Sequence, residues 1–210
     1  MRDIPPVPDH DIELSGGALA LDFANTVGGT HVSPTHDHLR NYADITRFAV
    51  LAGGLQPVVA KRLLQRAEQD PRRAAAVYEL GIALRESIWA VFSALASGES
   101  PRDADLALIG DAAAAGAARS RLVFDKDGVG WSLPSDSDDL ERPLWDIARS
   151  AADLLTSGDH DRIKECASPT CEWVFLDRSR NRSRRWCDMS DCGNRAKARR
   201  FQAKKHAVRV

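Results

Sequence analysis

Apolar residues recur at three- and four-residue spacing through most of the chain up to Leu155, the pattern of helices with one buried face. Ala18 to Val27 predicts a short helix entered through Gly16-Gly17 and left at Gly28-Gly29. The following GTHVSPTHDH reads as a polar loop. Leu39, Tyr42, Ile45, Phe48, Ala49 and Ala52 predict a helix that Gly53-Gly54 stops. Gln56-Pro57 starts the next, which carries Val59, Leu63 and Ala67. Asp70-Pro71 couples a cap to a proline at the first helical position, and the longest helix follows. Val77, Leu80, Leu84, Ile88, Val91 and Leu95 line one of its faces up to Ser97-Gly98. Ser100-Pro101 repeats the start signal for an alanine-rich helix to about Ala117.

The period then changes to two. Leu122 to Phe124 and Val129 to Trp131, joined at Asp127-Gly128, predict a β-hairpin. Asp136 to Asp139 is an acidic loop, and Leu140, Leu144, Ile147, Ala151, Leu154 and Leu155 mark one more helix. Ser157 to Asp161 is the expected boundary, leaving about 160 residues upstream, enough for a substantial core. The first 14 residues hold three prolines and predict an extended lead-in.

Charge sharpens this division. The net charge is −1, but Arg162 to Val210 holds 14 Lys/Arg against 5 Asp/Glu, a net of +9. The preceding segment therefore carries −10. Opposite charges on contiguous segments argue for modules with different partners, and only the basic one should attract a polyanion. The opening residues lack an apolar leader core, and no run of about 20 apolar residues is present. The expected compartment is the cytoplasm, with no membrane partner.

All four cysteines lie in the basic segment: Cys166 and Cys171, then Cys187 and Cys192, each pair separated by four residues. In a reducing compartment, paired cysteines more often bind metal than each other, and zinc takes four tetrahedral thiolates. Two disulfides and four buried free thiols are the alternatives. Glu172 to Leu176 is strand-like, Arg178 to Arg184 a polar turn, and Arg185-Trp186 the start of a returning strand. A helix is expected after Asn194, capped by Ser190, with Cys192 in its first turn. Turn, hairpin, turn and helix is the order of a treble-clef zinc finger, stabilised by its metal. The predicted fold class is thus α+β: a mainly helical N-terminal domain (residues 1–160) with a small β-hairpin, and a C-terminal treble-clef finger (161–210) holding one structural Zn²⁺.

The finger sequence CASPTCEWVFLDRSRNRSRRWCDMSDCGNRAKARRF resembles the CGNR zinc-finger family, whose name is spelled by Cys192-Gly193-Asn194-Arg195. Phe175 to Ser179, Arg185 to Cys187, Met189 and Lys197 also match. In that family the finger follows an ABATE domain, whose entry signature resembles Gly16 to Thr26 here. The resemblance implies a stress-induced transcriptional regulator, with a finger that binds DNA and an N-terminal domain that binds a small ligand.

The residues themselves suit DNA. Arg180, Arg182, Arg184 and Arg185 crowd the turn, while Asn194, Arg195, Lys197, Arg199, Arg200 and Lys204 line the final helix. Ala198 and Phe201 are expected to face the hairpin. Arginine outnumbers lysine 10 to 4 in this segment, which suits bidentate contact with phosphate or guanine. Arg195 has an alternative role in neutralising the zinc thiolates, and Asn194 in holding the knuckle backbone. Trp173 and Trp186 are expected in the hairpin core. RNA or an acidic protein partner would fit the same cationic face. A homodimer is expected, because one small finger buries little surface.

Asp22, Asn25 and Thr26 share a helical face and are candidate ligand-binding residues, or else a buried hydrogen-bond network. His31, His36 and His38 cluster in a loop, where solvated histidines are commoner than a second metal site. Arg85, Glu86 and Trp89 are expected at the surface or in packing. There is no P-loop, GxSxG or HExxH, and zinc would occupy every cysteine, so no enzyme is expected.

Overall fold

The computed structural model describes residues 12–125, 128–134 and 136–207. Most of the expected lead-in and part of the expected Asp127-Gly128 turn lie outside the described residues. The elements run α1 (Leu19–Ala24), β1 (Val27–Gly29), β2 (Pro34–Asp37), α2 (Tyr42–Leu51), α3 (Pro57–Gln69), α4 (Pro71–Ser97) and α5 (Asp103–Ala117). After these come β3 (Arg121–Asp125), β4 (Gly128–Ser132), α6 (Arg142–Thr156), β5 (Ile163–Glu165), β6 (Val174–Leu176) and α7 (Asn194–Ala207). Each sheet is a two-stranded antiparallel pair: β1 with β2, β3 with β4, and β5 with β6.

The helix limits follow local chemistry. The Asn41 side chain accepts from Asp44 N at 3.1 Å to open α2, and Asp70 does the same for Arg73 N to open α4. Gly98 closes α4 in the left-handed conformation (φ 75°). Two limits differ from the sequence reading. Helix α1 ends at Ala24, and Val27 enters a strand, so the polar loop is in part the β1–β2 hairpin. Helix α5 begins at Asp103 rather than at Pro101, with Arg102 as its cap residue.

Helix α4 is the axis of the core. It is long and apolar enough to cross a membrane by length and composition, with a mean hydropathy of 1.3 over its best window. That apolarity is taken up by packing: α1, α2, α3, α5, α6 and β5 all contact it, and Val77, Leu84, Ile88, Val91 and Phe92 are buried. Gly81 permits the closest approach, since a Cβ there would lie 2.5 Å from Ile45 Cδ1. Of the two expectations for Arg85, surface or packing, the structure realises packing. Arg85 is buried and holds Asp37 through two bonds of 2.7 and 2.9 Å, and it also bonds Glu86. The pair pins β2 to the middle of α4; a buried guanidinium needs such full pairing.

The β5–β6 hairpin joins this same core. Ile163, Val174 and Leu176 are buried in the helical cluster beside Leu21 and Ile88. Hydrogen bonds tie the seam along its length. Leu176 N donates to Gly16 O at 2.8 Å, and Glu172 N to Gly29 O at 3.2 Å. Trp89 Nε1 donates to Glu172 O at 2.9 Å, and Trp173 Nε1 to Val27 O at 2.7 Å.

Candidate metal centre and nucleic-acid interface

The strand pairing sets where the cysteines fall. Val174–Leu176 pairs with the upstream Ile163–Glu165, not with Arg185-Trp186 as the sequence suggests. Cys166 and Cys171 therefore sit in the loop of the hairpin itself, closed by Cys166 N donating to Trp173 O at 2.9 Å. Arg185 forms no strand, but its carbonyl accepts from Ala167 N at 2.9 Å, which brings Cys187 beside the first pair.

A tight turn, Met189–Gly193, then carries Cys192 into place. Its cap is Asp188, whose side chain accepts from Ser190 N and Asp191 N; Ser190, the expected cap, instead donates its hydroxyl to Asp188.

The four Sγ atoms lie within 4.8 Å of one another and all four cysteines are buried and free. Cys171 Sγ and Cys187 Sγ are 3.7 Å apart. A disulfide needs about 2.05 Å. A tetrahedral zinc with Zn–S near 2.3 Å needs about 3.8 Å between sulfurs. The donor set fits a single zinc ion. Phe175, Trp173 and Trp186 pack around it; both tryptophans are only partly buried, and Trp186 lies outside the β5–β6 hairpin rather than in its core.

Each residue of the Cys192–Arg195 tetrad has a job in building this centre. Cys192 supplies a sulfur. Gly193 leaves room for the Met189 thioether, which a Cβ would meet at 2.5 Å. Asn194 Nδ2 donates to Ser190 O at 2.9 Å. Arg195 Nη2 donates to Cys192 Sγ at 2.9 Å and pairs with Asp191 at the same distance. The thiolate beside it raises the Arg195 guanidinium's affinity for its proton.

The other arginines divide in two. Arg184 is turned inward: its guanidinium lies 4.3 Å over Phe175 and donates to the carbonyls of Ser15, Trp186 and Cys187. Arg182 pairs with Asp161 at 2.8 Å. By contrast, Arg178, Arg180, Arg185, Lys197, Arg199 and Arg200 are exposed, and no ion pair among the described residues engages them. The Lys204 side chain lies outside the described residues.

Asp177 organises this loop and is a residue that sequence reasoning missed. It is fully buried, and it accepts from Lys164 Nζ at 2.7 Å, Ser179 N at 2.9 Å and Arg184 N at 2.9 Å. Burial alone would raise its proton affinity, but these donors hold the carboxyl far below the usual range. Its signal was a lone acid between the apolar Val174–Leu176 run and the arginines.

Helix α7 differs from its expected packing. Ala196 is its buried alanine, while Ala198 is exposed and Phe201 is 61% exposed, with Lys205 Nζ 5.0 Å from its ring. The helix projects from the Met189–Gly193 turn into solvent.

The candidate ligand residues meet the seam instead. Asn25 Nδ2 donates to Val174 O at 2.9 Å, and its Oδ1 accepts from Val174 N at 3.0 Å. Asp22 accepts from Gly16 N at 2.7 Å, and Thr26 Oγ1 donates to Phe23 O at 2.7 Å. The histidines do not converge on a point: His31 stacks on Trp89 with centroids 3.7 Å apart and bonds Glu86, away from the His36–His38 ring pair.

A zinc-knitted basic turn and helix, fused to a helical body, is the build of a zinc-finger protein. Residues 17–158 match the ABATE family, described as "Putative stress-induced transcription regulator", and residues 162–205 match the CGNR zinc finger. The chain belongs to the ABATE family and carries a CGNR zinc finger, whose four cysteines hold one structural zinc. Neither family is an enzyme family. Among curated proteins no sequence matches this chain.

Proposed function

We propose that the protein is a transcriptional regulator that binds duplex DNA through the Arg178–Arg185 loop and α7. The observation that carries this reading is the set of six exposed, unpaired cations on those two segments. Arg195 donates to the Cys192 sulfur and so offsets part of the negative charge that four thiolates bring to the zinc. Among the described residues these six form no ion pair, although Arg185 lies 5.5 Å over the Trp186 ring, so their charge is available to phosphate. For Asp22, Asn25 and Thr26 we favour a structural role over ligand contact, because their hydrogen bonds satisfy backbone groups. We extend the reading to a dimer, since one finger covers a short stretch of duplex.

Fluorescence anisotropy with labelled duplex and single-stranded DNA and RNA tests it. Four to six phosphate contacts give a slope of about −4 to −5 in log K against log salt. Changing Arg180, Arg199 and Arg200 together to Gln should reduce its magnitude by about 2 to 3. A flat salt dependence, or an unaltered triple variant, refutes the reading. Stronger binding to RNA, or to an acidic protein alone, would replace it with one of those partners. Sedimentation showing only monomer, free and DNA-bound, would remove the dimer.

A further inference from the structure

We infer that the cleft between the β3–β4 hairpin, the α2–α3 connection and the first half of α6 binds a small aromatic carboxylate. The cleft has a volume of about 770 Å³. That lies inside the roughly 300–1,000 Å³ of typical small-molecule sites. Its floor includes Leu55 and Val59, both buried side chains of the core, and the hairpin contributes Val123 and Trp131. An apolar ring has surfaces to lie against.

The polar lining selects an anion. Arg121, Arg142 and Arg149 all line the cleft. Asp146, one of its carboxylates, is already engaged by Arg142 Nη1 at 2.9 Å. Arg149 has only a loose pairing with Asp153, at 3.6 Å with both side chains about half exposed or more. Arg121 has no ion pair among the described residues. Against these guanidiniums, Asp136 is the other carboxylate on the lining.

Arg142 forms the buried end of this basic lining. It is 9% exposed, and its Nε is buried without a hydrogen-bond partner among the described residues. That nitrogen is closed to the cleft, so the guanidiniums open to a ligand are those of Arg121 and Arg149. The planar guanidinium fork matches a carboxylate in bidentate geometry. Trp131, 60% exposed, offers its ring to an aromatic body. This site is remote in sequence from Asp22, Asn25 and Thr26, and it stands whether or not the finger binds DNA.

Naphthoate is the probe. Titrated calorimetrically into the zinc-loaded full chain, it should bind saturably at a single site. Naphthylmethanol, the neutral analogue, and acetate, which lacks the ring, should each bind at least about tenfold more weakly. Arg121→Gln should weaken naphthoate about tenfold while leaving the circular dichroism unchanged, because the exposed Arg121 side chain makes no ion pair among the described residues. Trp131→Ala should weaken it also, and Arg178→Gln on the finger should not. Absence of saturable binding overturns the proposal. So does equal affinity for acid and alcohol, or indifference to Arg121→Gln.

Discussion

Asn25→Ala tests how firmly the metal-bearing hairpin is tied to the helical body. The Asn25 side chain is buried and takes both the N–H and the C=O of Val174 in the manner of a neighbouring strand. Alanine would leave two buried backbone groups without partners. Each costs about 1–3 kcal/mol, so the loss should be about 2–6 kcal/mol. Against a domain stability of about 5–15 kcal/mol this is large. With a urea dependence of roughly 2 kcal/mol per molar, the midpoint should fall by about 1–3 M. The assay is equilibrium unfolding followed by tryptophan fluorescence, which samples Trp89 and Trp173 at the seam together with Trp131, Trp145 and Trp186, and by far-ultraviolet circular dichroism, which samples the helices. Both signals should shift together, and chelating zinc from the native protein should shift them in the same sense. A midpoint change below about 0.3 M would refute the reasoning. So would a helical transition indifferent to zinc.

Three further outcomes are expected. Arg195→Gln removes the guanidinium from the Cys192 thiolate, and a chromophoric chelator should report zinc affinity weakened about 10- to 100-fold, the usual cost of losing an outer partner of a ligand. Asp22 is pushed from 3.8 to about 6, chiefly by burial, against the Gly16 N–H and the Arg184 charge. The stability it contributes is present below the lower value and lost as pH rises through the upper one. Asp22→Asn, which keeps an acceptor for Gly16, should therefore gain on the parent by about 2 kcal/mol between pH ~4 and pH ~7 in urea titrations. Arg184→Gln and Arg199→Gln should part company: the first should lower stability by about 2–4 kcal/mol through its lost carbonyl contacts. The second should leave stability within about 0.5 kcal/mol and weaken DNA binding instead.

Local signals were enough for the helices. Asp70-Pro71, Gln56-Pro57 and Gly98 mark their ends by backbone chemistry that needs no tertiary partner, and the apolar faces of α4 and α6 follow the helical period. Cysteine spacing likewise announced the metal. The remainder depends on residues far apart in the chain. Strand β5 is only Ile-Lys-Glu, too short to show a period, and it is a strand because Val174–Leu176 lies opposite. Arg85 looks like a surface residue until Asp37 arrives 48 residues away. Arg182, Arg184 and Arg195 cannot be told from Arg180 or Arg199 by composition. What separates them is a carboxylate, a row of carbonyls or a thiolate brought close by folding.

Helix α7 leaves the body at Ala196, and Lys197 to Ala203 face solvent. Substitutions on such a surface cost little in folding, typically within about 0.5 kcal/mol. The four cysteines, Asp177, Arg184, Gly193 and Arg195 have no such latitude, because the metal centre and the buried or matched groups around it depend on them. Mutation can thus rewrite the projecting helix while the clamp that aims it stays constant. Divergent copies of this chain would then acquire new targets by drift in about seven codons, with the metal centre and helical body inherited unchanged.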